Sequence, residues 1–326
     1  MRGKYLCGRD HDSDQDRSYR KVWIRDRLET LAGVFAIDVL DHAVLDNHLH
    51  TILRNRPDVV KEWSAKEVVS RWGQLSRASL ELVPTPRPED VEEAAEDETL
   101  VGDLVARLSD ISWFMLMLGE PIARLANRED NVAGHFWAER FFSEPLGNEE
   151  ALLACSLYVD LNLIRAGAAQ SPEDSIYTGA YDRLRDLQGE RIARGEVRQE
   201  ALLRLFGIRG HEPRYQLERL LHKPNSGWMA PLKVEGDGYA GAKAGRRASD
   251  LGYLPMTLEK YLEFLDACGR EEVEGKRGVI PERLPPVLKR LHLDPDRWGE
   301  EVARAAKRFA RIAAKCATES YRRRKK

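Results

Sequence analysis

The feature that most limits what this chain can fold into lies at residues 34–53, where two runs rich in Val, Ile and Leu flank Asp46-Asn47. Short aliphatic runs bounded by turn-forming Asp and Asn predict two strands joined by a tight turn, the second ending before Pro57. A hairpin of this kind needs other elements to cover it. Apolar residues recur at helical spacing over 19–32, 61–80, 100–127, 148–166 and 258–268, and again over 301–316. In the first of these helices Val22, Trp23, Leu28 and Leu31 form the apolar side. Shorter helices are predicted at 202–208 and 215–221, and a further strand at 135–142. The expected class is α+β.

At 326 residues, 42% of them apolar, the chain can bury a full core and has room for two domains. Pro84, Pro86 and Pro88 lead into an acidic run, and residues 84–99 are expected to form a flexible insert. The texture changes near residue 180. This suggests one domain over 1–180 and a mainly helical extension over 181–326, with a Gly-, Lys- and Arg-rich loop at 223–253. No apolar run is long enough to cross a bilayer, and no apolar segment follows the first four residues, which predicts a cytoplasmic protein without a membrane partner. Cys7, Cys155, Cys268 and Cys316 stand singly without CxxC spacing, as expected of reduced thiols. Residues 276–326 hold 16 Lys and Arg against 6 Asp and Glu. That excess suits a polyanionic partner and equally suits a solvated basic helix and tail.

Asn47-His48-Leu49-His50 opens the second strand. Alternate side chains share a strand face, so His48 and His50 project together while Leu49 turns to the core. Two imidazoles so placed can hold one divalent cation. Taken alone, the same spacing more often means two histidines on a wet strand. In the helix at 148–166, Tyr158 and Asn162 stand four residues apart and share a face. A phenol and an amide there could meet the histidines, or could simply pack and hydrogen-bond.

Taken together, these segments resemble the HUH single-tyrosine transposases, above all the REP-associated tyrosine transposase branch. FAIDVLDHAVLDNHLHTILRN resembles that family's strand–turn–strand with its histidine pair. SWFMLMLGEPIARLANRED followed by GHFWAERFFSEPL resembles its middle helix and next strand, and EEALLACSLYVDLNLIRAG its nucleophile helix. The likeness runs over residues 18–180 in unbroken order, apart from the acidic insert. It implies a ferredoxin-like HUH domain, an antiparallel sheet with packed helices. Tyr158 would be the catalytic nucleophile, and His48, His50 and Asn162 would be ligands of Mg²⁺ or Mn²⁺. The implied activity is DNA transposition by single-strand cutting and rejoining through a 5′-phosphotyrosine intermediate. The implied partner is single-stranded DNA beside a hairpin, bound by a chain that acts alone or as a homodimer.

Three departures stand beside the likeness. Only Tyr5-Leu6-Cys7 is strand-like ahead of the first helix, so the sheet is expected to lack its first strand. Leu163 follows Asn162 where the family commonly has proline, and Asp46 puts a carboxylate near the presumed metal ligands. An inactive or domesticated DNA-hairpin-binding protein is the alternative these suggest, and a metallohydrolase that activates water at His48 and His50 is a third. Trp137 and Phe141 are expected in the core. Arg140, Arg165, Lys243, Arg246, Arg247 and the terminal Tyr-Arg-Arg-Arg-Lys-Lys are candidates for DNA contact.

Overall fold

The computed structural model describes residues 7–9, 14–196, 226–234, 245–291 and 293, together with 302, 305, 306, 308 and 309. In chain order α1 (Arg20–Ala32), β1 (Ile37–Val44) and β2 (Leu49–Asn55) are followed by α2 (Pro57–Lys61), α3 (Ala65–Gly73) and α4 (Pro88–Ala95). Then come α5 (Glu98–Leu108), α6 (Ile111–Glu129), α7 (Glu149–Asp160), α8 (Asn162–Arg165) and a 3-10 turn at Pro172–Asp174. The described part closes with α9 (Gly179–Ala193), α10 (Leu258–Arg270) and α11 (Val287–Arg290). The protein is α+β, with a two-stranded antiparallel sheet among the described residues.

Val44 pairs with Leu49 and Ala43 with His50, and a bulge between Val39 and Asp41 leaves Leu40 without a direct opposite. Every residue of β1 is buried because helices cover the hairpin on both faces. Ile37, Val39 and Val44 join one apolar core with Leu28 of α1 and Phe114 of α6. Leu40, Ala43 and Ile52 join a second with Leu157 of α7, Leu184 of α9 and Leu262 of α10. Residues from both sides of position 180 therefore share one core. A strand buried on both faces normally reads as an unbroken apolar run, and Asp38, Asp41 and His42 depart from that rule. Asp38 is compensated by Arg54 at 2.7 Å, Arg56 at 3.2 Å and the Ser249 hydroxyl at 2.8 Å. Arg54 also donates to the carbonyls of Leu251 and Gly252, which ties residues 249–252 to β2.

Several local expectations change. In α1 the buried face is Ile24, Leu28 and Leu31 flanked by Arg20 and Arg27, while Val22 is exposed. Arg27 has a physical reason to be inside. Pro121 lacks an N–H, which leaves the Met117 carbonyl one turn earlier without its helical donor, and Arg27 Nε supplies one at 3.1 Å. The helix expected at 61–80 is only α3, capped by the Ser64 hydroxyl. The acidic segment expected to be flexible folds as α4: Pro88 begins it, Glu89 and Asp90 favour its N-terminus, and Val91 is buried. Asp110 caps α6 and divides the single helix expected at 100–127 into α5 and α6. No strand forms at 135–142. Phe136 is buried and the Trp137 indole donates to the Gly119 carbonyl at 2.8 Å, whereas Phe141 is exposed rather than in the core. The helices expected at 202–208 and 215–221, and the strand-like Tyr5-Leu6, lie outside the described residues.

Burial pushes the Asp182 carboxyl up to about 6, against the pull of Arg25 3.1 Å away. A carboxyl raised in this way holds its proton more tightly in the folded state than in the unfolded one. The stability it contributes is complete below about pH 4 and is lost as pH rises through about 6. Urea unfolding should therefore show a decline of roughly 2–3 kcal/mol between pH 4 and pH 7, and Asp182→Asn should flatten it. An unchanged slope in Asp182→Asn would assign the decline to another group.

Candidate functional site

The turn between the strands closes through a hydrogen bond from Leu45 N–H to the His48 carbonyl at 2.9 Å. This places His48 just ahead of β2 and His50 within it, where strand alternation sends both rings the same way. Their centroids are 4.8 Å apart and nearly perpendicular, at 86°. Asn47 Oδ1 lies 2.6 Å from His48 Nδ1 and orients that ring.

Tyr158 reaches the same place from the opposite element. Asn148 caps α7 by accepting from Ala151 N–H, and the buried neighbours Leu157 and Val159 fix the helix against the second core. The Tyr158 ring is left half-buried, edge-on to His50, with centroids 5.3 Å apart at 78°. The three rings form a file, imidazole to imidazole to phenol. Lys276 brings its Nζ to 6.0 Å from the Tyr158 centroid.

Asn162 follows Leu161, whose backbone stays helical at φ −80° and ψ −4°, so the amide comes one turn after the phenol. It is 6% exposed, and its Nδ2 has no hydrogen-bond partner among the described residues. Two imidazoles on one strand edge are donors that suit a divalent cation, and the oxygen of the Asn162 amide is of the right kind to join them; its unsatisfied Nδ2 is a hydrogen-bond donor and not a ligand. Among the described residues no three His, Cys, Asp or Glu side chains cluster. A cation here would take its remaining ligands from the amide, a substrate or water. Asp46 is occupied elsewhere, paired with Lys21 of α1 at 2.5 Å.

The arginines divide sharply. Arg140 is exposed on the irregular segment after α6. Arg165 is 7% exposed and donates to the carbonyls of Cys268, Glu271 and Gly278, so it clamps backbone and is withdrawn from any DNA phosphate. Burial lowers its pKa, which its carbonyl partners tolerate. Arg246 pairs with Glu29 at 2.6 Å. Arg247 pairs with Asp250 at 2.7 Å and donates to the carbonyls of Gly227 and Met229. These partners make both arginines ties between segments. Lys243 and the terminal basic tail lie outside the described residues. Lys276 went unnoticed in the sequence. The flanking glycines of Gly-Lys-Arg-Gly signal a turn, but nothing local signals what the turn faces.

Among the described residues, no helix is long and apolar enough to cross a membrane. Comparison of the chain with protein-family models, curated proteins and solved structures returned no match.

Proposed function

We propose that this chain is a metal-dependent enzyme that cuts and rejoins single-stranded DNA, a transposase of the HUH single-tyrosine type. In that reading β1, β2 and α7 are the chemical part of a ferredoxin-like core. The observation that carries it is the file of rings, with His48 and His50 at 4.8 Å and His50 and Tyr158 at 5.3 Å. Two elements far apart in sequence bring a nucleophile and two metal-type donors together, as phosphoryl transfer to tyrosine requires.

Tyr158 is the nucleophile. Its oxygen bonds to phosphorus while the bond from phosphorus to the 3′ oxygen breaks; the phenol gives up its proton and the departing 3′ oxygen takes one up. The product is a 5′-phosphotyrosine and a free 3′-OH. A phenol is far more acidic than an alcohol, so the tyrosyl ester is a good leaving group and strand transfer can run without water. His48, His50 and Asn162 would hold Mg²⁺ or Mn²⁺, which when bound offsets the negative charge of the phosphate. Asn47 keeps the His48 ring in position through its contact at 2.6 Å.

The test is covalent capture of hairpin-flanked single-stranded DNA in Mn²⁺. His48→Ala and His50→Ala should each lower adduct yield about 100-fold or more, and a chelator should remove it. Yields unchanged by both variants and by the chelator would overturn the metal assignment. A hairpin-binding protein that no longer cuts is the second reading, favoured by the two-stranded sheet among the described residues. It predicts tight binding with no adduct.

A further inference from the structure

We infer that Lys276 binds the phosphate that Tyr158 attacks, so that a residue beyond position 180 completes the site. This rests on the nicking reading above.

The backbone that carries Lys276 is held from several directions. After α10 the chain turns, with Lys276 N–H bonded to the Val273 carbonyl at 3.0 Å and Gly275 at φ +76°, a conformation that favours glycine. Arg277 N–H then donates to the Arg165 carbonyl at 3.1 Å. Gly278 lies so close to α8 that a Cβ there would collide with the Ile164 carbonyl. Ile280 N–H returns to the Gly269 carbonyl at 2.9 Å. The buried Arg165 guanidinium joins the carbonyls of Cys268, Glu271 and Gly278, bracing both arms of the turn. Arg165 also ends α8, which continues the helix that carries Tyr158. The loop and the tyrosine are thus fixed to one another, and Nζ stands 6.0 Å from the phenol ring.

A lysine packed on a tyrosine face would be a modest cation–π contact and nothing more. Two observations point further. The Lys276 side chain is exposed and makes no ion pair with a carboxylate among the described residues, although Glu271, Glu272 and Glu274 share its loop. It also stands over the ring that His50 meets edge-on, and its flexible stem can carry the ammonium from there to a phosphodiester at the Tyr158 oxygen. In the proposed contact Lys276 donates hydrogen bonds to a non-bridging oxygen. The bond made is from Tyr158 oxygen to phosphorus, and the bond broken is from phosphorus to the 3′ oxygen.

The experiment compares the full-length wild type with Lys276→Gln and Lys276→Arg, using an oligonucleotide of hairpin-flanked single-stranded DNA at several salt concentrations. Lys276→Gln should weaken binding roughly 10-fold at low salt and reduce the slope of log affinity against log salt by about 0.7, the loss of one phosphate contact. Lys276→Arg should restore the slope, and the melting temperature of both should match wild type because the side chain is exposed. Adduct formation that depends on Tyr158 while Lys276→Gln leaves rate and slope unchanged would overturn the Lys276 role and spare the nicking reading. Binding without adduct but with the altered slope would remove the nicking reading and overturn Lys276 as a contact to an attacked phosphate, leaving it a contact to the bound strand. Absence of DNA binding by wild type would overturn the Lys276 role outright.

Discussion

Tyr158→Phe should abolish covalent capture of DNA while leaving the protein folded and still able to bind the strand. The phenol oxygen is the only atom removed, from a half-buried ring whose contact with His50 at 5.3 Å is edge-on and needs no hydroxyl. A hydrogen bond lost there costs about 1 kcal/mol of stability, too little to unfold a chain of this size. In the proposed mechanism loss of the nucleophile is different in kind, since no other atom can take its place in the covalent step, and rates should fall by on the order of 10⁴-fold or more. Denaturing gels of protein incubated with labelled hairpin-flanked single-stranded DNA and Mn²⁺ check this directly. DNA cleavage that persists in Tyr158→Phe, with free 5′-phosphate ends and no adduct, would instead assign the reaction to water activated beside His48 and His50.

The largest loss of stability should come from Arg183→Leu. Asp41 on β1, Asp160 at the end of α7 and Arg183 of α9 are all buried. The Arg183 guanidinium reaches Asp41 Oδ1 at 3.5 Å and donates to the Leu40 carbonyl at 2.5 Å, beside the bulge. Asp160 is further held by the Tyr261 hydroxyl at 2.6 Å and by Ala180 N–H at 2.8 Å. Gly179 is part of the same packing, because a Cβ there would collide with Asp41 Oδ1. Burial raises the Asp41 carboxyl well above its ordinary range, and the neighbouring Asp160 raises it further. Without the cation the carboxyls remain inside with their compensation removed, a loss of about 3–5 kcal/mol. Urea unfolding of Arg183→Leu measures it. Adding Asp41→Asn should return part of the loss, because the two changes act on one pair. Arg183→Leu within about 1 kcal/mol of wild type would show that the network is not what holds the two cores across the sheet.

What the sequence disclosed follows from what is local in it. Strand alternation and a two-residue turn are short-range properties, and the hairpin with His48 and His50 formed where the pattern predicted it. The apolar spacing over 148–166 likewise placed α7. The meeting of Tyr158 with His50 is a contact across more than a hundred residues, which no periodicity encodes; the residues alone left it open, and resemblance favoured it. Charge misled more than anything else. Acidic composition at 84–99 read as a flexible insert, yet Val91, with Ala94 and Ala95 packed on the same core, docks it as a helix. Arg165 read as a DNA contact, whereas it is buried and serves carbonyls, and Arg20, Arg27 and Arg183, which no pattern singled out, are buried on carbonyls or carboxylates as well. Trp137 and Phe141 alternate as strand residues do, but the indole found its acceptor on α6 and Phe141 found no cover. Lys276 was hidden for the same reason as Tyr158: its importance lies in what it faces.

Mass mapping of the protein–DNA adduct tests the central claim most directly. After digestion with nuclease and protease, a nucleotide mass attached through phosphate should appear on the peptide that holds Tyr158, and on that tyrosine within it. Attachment at any other residue, or a chain that binds the hairpin and never carries the nucleotide, would contradict the assignment of Tyr158 as the nucleophile.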